Sequence, residues 1–309
     1  MTISVLLMKQ IVSMILTMGC GYALVKAGLL KAEESHTISV LTIYVIFPCS
    51  VVNAFRIAYT PQIRNNFLLA LAAAVLAHLL MIGVCRLLRT PLRLRAEDCA
   101  SIIYPNCANL ILPLVSSVLG EEWVIYSSAY ICVQILFIWT HGLSLIYDGA
   151  QPVRIRKIVT NPNLIAAAVG LVLFLFSLPL PSVVDTTLSS ISKAIGPVSM
   201  IMIGMLLSTY DLREILANSR ILVTVALRML FFPGLMLLVF KFSPLASLTG
   251  EGTKVLLISL LAISAPSAIS VTQMAQLAGA DARYAGLINA ATTLVCVITM
   301  PLIVFLYLA

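Results

Sequence analysis

The chain has 309 residues, of which 61% are hydrophobic and only 10% charged, against roughly a quarter charged in ordinary soluble domains. Together with a mean hydropathy of +1.08, that composition excludes a water-soluble enzyme or binding module and leaves an integral membrane protein. The net charge of +7 does not point to nucleic acid, because the basic residues are divided among short loops without interleaved aromatics; anionic headgroups of the lipid bilayer are the simpler partner.

Apolar runs of about 17–25 residues are the unit of membrane crossing, and ten fit that length. They lie near 4–25, 37–55, 66–86, 99–119, 123–147, 160–178, 186–208, 219–241, 254–275 and 283–308. The first has no basic leader and no small-residue cleavage site, so it is read as a mature helix and not a signal peptide. The gaps, such as "KAEES", "RTPLRLRAED" and "DGAQPVRIRK", are too short for a soluble domain. Lys and Arg divide unequally between alternate loops, twelve against five, with Lys193 and Arg228 inside spans. The twelve-charge side is expected in the cytoplasm, which puts both termini outside an inner (plasma) membrane. The seven cysteines fall almost wholly within spans and lack metal-ligand spacing, so they read as small apolar fillers.

Along the chain, the second span carries Pro48 in "YVIFPCS", and the third and fifth carry His78 and His141. Either histidine is suited to relaying a proton or to joining helices by a hydrogen bond. The fourth span, "SIIYPNCANLILPLVSSVLGEEW", places Pro105 and Pro113 around Asn106 and Asn109. The hydrophilic stretch 148–159 then separates a first half, 1–147, from a second, 160–309. The seventh span holds Lys193 and Pro197, the eighth Arg228, and the ninth a further break at "APSAIS". Lys193 either draws an anion into a cleft or snorkels outward from about two turns below Asp185. Arg228, eight residues beyond Arg220, is expected to snorkel to the cytoplasmic face.

The two halves echo each other. A slide of 160 sets residues 126–147 beside 286–307, and a slide of 161 sets Pro105 on Pro266, so that Asn106 and Asn109 face Ser267 and Ser270. A unit of five spans is odd, which makes the expected fold an all-α membrane protein of ten transmembrane helices in two inverted five-helix repeats, with broken crossover helices 4 and 9. Proline removes a backbone donor and crowds the carbonyl one turn back. In hydrocarbon such freed groups survive only inside protein or beside a watery cavity. Each break also starts a second half-helix, whose N-terminus presents free N–H groups and partial positive charge to an anion. Asn106, Asn109, Ser267 and Ser270 add neutral donors there. The plainer alternative is that the prolines kink ordinary helices and the polar side chains join neighbours.

With those motifs in view, "YPNCANLILPL" resembles the fourth-span signature of the auxin efflux carrier family, in which Pro-Asn is followed seven places after the Asn by a second proline. "SAPSAISVTQMAQLAGAD" resembles its ninth span, "TNPNLIAAAVGL" its sixth and "GPVSMIMIGMLL" its seventh. The resemblance covers essentially the whole chain. It departs from the pattern at Ile111, where members usually carry Gly, and in lacking the long central loop of the plant carriers, which points to the short bacterial branch that includes malonate and other carboxylate permeases. The resemblance implies a scaffold of spans 1, 2, 6 and 7 that forms a homodimer, a mobile unit of spans 3–5 and 8–10, and an anion site at Asn106 with Ser267 opposite.

All twelve acidic residues map to loops or helix ends, which disfavours coupling through a membrane-embedded carboxylate. Sodium held by freed carbonyls with Asn109, Gln134, Gln273 or Asn289, or a proton carried by His141, stays open, and no other cofactor is expected. No motif of an enzyme stands out. The expected function is a carrier of a small organic anion, a mono- or dicarboxylate such as malonate or an auxin-like aromatic carboxylate. The alternatives are a membrane sensor that uses the same site without transport, and a sodium-coupled carrier of the bile-acid type.

Overall fold

The computed structural model describes residues 3–147 and 160–309; the expected linker 148–159 lies outside the described residues. The named elements among those residues are all helices, and six of them are long and apolar enough to cross a membrane. In chain order the main helices are α1 (Ile3–Lys26), α2 (Ala32–Ala54), α3 (Pro61–Arg89), α4 (Ala96–Ile103) and α5 (Cys107–Val118). They continue with α6 (Glu121–Ile146), α7 (Pro162–Leu175), α8 (Ser182–Leu207) and α9 (Ser219–Phe242). The last three are α10 (Gly252–Ile263), α11 (Ile269–Ala278) and α12 (Ala282–Leu308). The fourth and ninth apolar runs are thus each two short helices, α4 with α5 and α10 with α11.

Local chemistry sets the ends. Thr60 and Asn161 accept backbone N–H groups at the starts of α3 and α7, each followed by proline at the first helical position, where its missing donor costs nothing. Proline inside a helix is accommodated differently. Pro48 follows a π-turn at Thr42–Ile46, and Pro233 follows another at Leu227–Phe231; the wide turn absorbs the lost backbone bond. A third π-turn, Ile138–Gly142, interrupts α6.

The helices α1 and α8 pack closely because glycine lets their backbones touch. A Cβ on Gly204 would meet the Met18 carbonyl, and one on Gly21 the Ile201 carbonyl, the small-residue contact that membrane helices use where lipid offers no hydrophobic drive. Elsewhere, α4 is tied to α9 and α12 through Asp98, which is buried and accepts from Thr224 Oγ1 and Tyr284 Oη, both at 2.7 Å. The seven cysteines form no disulfide.

Candidate functional site

The two breaks meet. Asn106 N–H donates to the Pro266 carbonyl at 2.7 Å and Ala268 N–H to the Tyr104 carbonyl at 2.9 Å, an antiparallel bridge that pairs Pro105 with Ser267. A two-fold exchange of these bonds relates residue i to i+162, the same offset that relates the starts of α5 and α11, Cys107 and Ile269. The register is therefore one residue beyond the alignment of proline on proline. The structural counterpart of Asn106 is Ala268, and Ser267 is the counterpart of Pro105.

Several carbonyls at the breaks have side-chain donors. Gln134 Nε2 on α6 donates to Pro105 O at 2.7 Å, and Asn289 Nδ2 on α12 donates to Ser267 O. Arg228 serves the ends of the preceding half-helices, with Nη1 on Ile102 O at 3.0 Å and Nη2 on Ala265 O at 2.6 Å. Its side chain is wholly buried, so it does not reach the cytoplasmic face as sequence spacing suggests. The π-turn that contains it aims it inward. Gln134 and Asn289 each face a freed carbonyl through the amide nitrogen.

Beyond the bridge lies a cavity of about 170 Å³. The first break contributes Pro105, Asn106 and Asn109; the second contributes Ala268, Ile269, Ser270 and Gln273. Gln134 and Trp139 of α6 line it too, as do Ser39 and Thr42 of α2 and Asn161 and Asn163 at the start of α7. Among the described residues none that lines it carries a formal charge. Asn106 is held in place by a relay: Ser199 Oγ donates to Asn109 Oδ1 at 3.3 Å, and Asn109 Nδ2 donates to Asn106 Oδ1 at 3.0 Å. Among the described residues this leaves the buried Asn106 Nδ2 without a partner, a donor that costs stability unless something accepts from it. Gln273 reaches Ser39 at 3.4 Å, a second tie from a broken helix to a neighbour.

Other expected site residues lie elsewhere. Ser267, a member of the bridge, is buried, with its hydroxyl unpartnered among the described residues and away from this cavity, and Pro266 lines a separate void of about 20 Å³. Asn289 supports Ser267 from behind. His141 bonds Tyr104 Oη at 2.8 Å and does not line the cavity. His78 is fully buried, bonded to Ala74 O and stacked on Phe137. Lys193 is exposed and lines a different cavity, about 300 Å³, together with Glu121, Ser116 and Pro113. The nearby Asp185 pairs instead with Arg56. Sequence reasoning missed the cavity roles of Ser39, Thr42 and Trp139. It singled out Asn161 and Asn163 only as a motif, although two polar amides flanking a helix-starting proline are a readable signal.

The sequence pattern of a family described as "Membrane transport protein" matches residues 6–155 and 150–304. The chain belongs to the auxin efflux carrier family. It is therefore a multi-pass membrane transport protein, and its family is one of transporters, not enzymes. No curated protein matches the chain.

Proposed function

We propose that this member of the auxin efflux carrier family is a secondary carrier that binds a small organic anion at the meeting of the two breaks and moves it by alternating access. The observation that carries the reading is the buried Asn106 Nδ2, unpartnered among the described residues, beside the N-termini of α5 and α11 in a cavity whose described lining carries no formal charge. Neutral donors and two helix N-termini suit an anion, and a cavity smaller than the 300–1,000 Å³ of drug-sized sites suits a small one. A mono- or dicarboxylate such as malonate is the substrate class, with an auxin-like aromatic carboxylate as the larger candidate.

In this reading the ten apolar runs form two inverted five-helix repeats, with crossover helices built from α4–α5 and α10–α11. The helices α1, α2, α7 and α8 form the scaffold of a homodimer. The bonds Ser199–Asn109 and Gln273–Ser39 then join the moving unit to the scaffold in the present conformation and break as the unit rocks. The cavity runs to the start of α7, which is the cytoplasmic end if both termini lie outside, so this conformation is inward-facing. The Lys193 cavity belongs to the outer side, where its charge steers anions towards the entrance.

Uptake of labelled malonate, and separately of an aromatic monocarboxylate, into proteoliposomes tests the reading with and without proton and sodium gradients. Saturable uptake of either is expected. Saturable binding with no uptake would make the chain a sensor and sink the carrier reading.

A further inference from the structure

Arg228 is the most deeply buried charge in the structure, and the binding of an anion does not explain it. Both of its Nη atoms are committed to backbone carbonyls, Ile102 O and Ala265 O, and it does not line the 170 Å³ cavity. Among the described residues no carboxylate pairs with it. What it does face is electrostatically negative. Ile102 O lies in the last turn of α4 and Ala265 O two residues beyond the end of α10, so the guanidinium sits beside both C-terminal ends, each of which carries about half an elementary negative charge. Two ends that converge at one point present about one, which a single guanidinium balances. The planar fork, with two separate donors, spans both ends at once, as a point-charge ammonium does not.

Freed carbonyls at the midpoint of a broken helix are what carriers otherwise offer to a metal cation. We propose that Arg228 is a positioning residue that acts as a built-in cation: its guanidinium fills, from within the chain, the place between the two half-helix C-termini that a free monovalent cation would otherwise occupy. It thereby fixes the bridge and, through it, the presentation of Asn106. The inference rests on the reading of the breaks as the anion site for its transport consequence alone; the cation site itself stands without it. The π-turn at Leu227–Phe231 is the device that turns the residue inward, in keeping with the frequent placement of such turns at functional positions. Removal of the side chain should leave a latent cation site lined by Ile102 O and Ala265 O.

The test compares the full-length chain with R228A, R228M and R228K in choline, sodium and dilute guanidinium chloride. Thermal unfolding in detergent and malonate uptake in proteoliposomes are read in parallel. Wild type should show the same melting temperature and uptake in choline and in sodium. R228A should lose uptake in choline by about tenfold or more and melt lower, and should regain part of both when sodium or guanidinium is supplied. R228K keeps the charge and should retain more uptake than R228M, which keeps only the bulk.

Wild-type uptake that collapses in choline would overturn the proposal. So would R228A or R228M transporting at the wild-type rate in choline, or a destabilised R228A that neither cation moves. Should R228A not yield folded protein, the pair R228K and R228M decides: equal behaviour of the two overturns it, and loss confined to R228M supports it. If wild type moves no anion, the carrier reading fails. The cation-dependent melting of R228A still decides the inference by itself.

Discussion

The two breaks share a backbone plan and differ in side-chain chemistry. Each stops a helix near a proline, donates one N–H across the bridge and starts a second helix whose N-terminus faces the same cavity. Each has its freed carbonyl capped by an amide from α6 or α12. At the residue that opens the second helix, the first break has Asn106, with a free donor and a relay behind it, while the second has Ala268, with none. The backbone of the two breaks thus follows one plan, and Asn106 is the side-chain difference between them.

The largest expected effect comes from removing that asymmetry. N106A removes the side-chain donor at the residue that opens α5 and leaves both helix starts with backbone N–H groups there. A hydrogen bond to a charged group is worth about 1.5–3 kcal/mol, so the half-saturating anion concentration in uptake assays should rise about 10- to 100-fold. Wild-type affinity in N106A would show that the backbone cradle suffices. Next in size, Q134L and N289L each strand one freed carbonyl, at a cost of about 1–3 kcal/mol. Thermal unfolding should show similar losses in the two variants, and a loss confined to one would mean that the breaks are not equally supported.

A268N restores symmetry in the other direction. A second donor at the cavity should tighten half-saturation by about 2- to 10-fold, less than a charged hydrogen bond is worth because no relay holds the new amide in place; no change would mean that substrate contacts only the first break. Smallest is S267A. The Ser267 hydroxyl is buried, unpartnered and off the cavity, so its removal should leave uptake within about twofold and stability unchanged or slightly raised. A loss as large as that of N106A would restore the proline-on-proline register.

Much of this was legible because it is local. Hydropathy marks the apolar runs, and Pro105 and Pro266 mark the places where a lipid-buried helix stops, since proline acts within one turn of itself. The register was not, because the bridge is set by which N–H meets which carbonyl, and the two prolines stand one place apart within it. Nor was the destination of Arg228: its spacing from Arg220 assumes regular helical winding, which the π-turn at Leu227–Phe231 breaks. Ser39, Thr42 and Asn163 join the site only when helices far apart in the chain come together, and no local pattern announces that.

The three π-turns have a consequence for how this chain tolerates insertions and deletions. Each holds one residue more than a regular turn, and one residue is about 100° of azimuth around a helix. Thr42, Trp139 and Arg228 each sit within one of the three. Deleting a single residue from any of these turns would restore an unbroken helix, keep every flanking apolar residue, and rotate one half of that helix relative to the other. A hydropathy plot would hardly register the change, yet the polar side chain would swing away from the centre of the protein towards lipid.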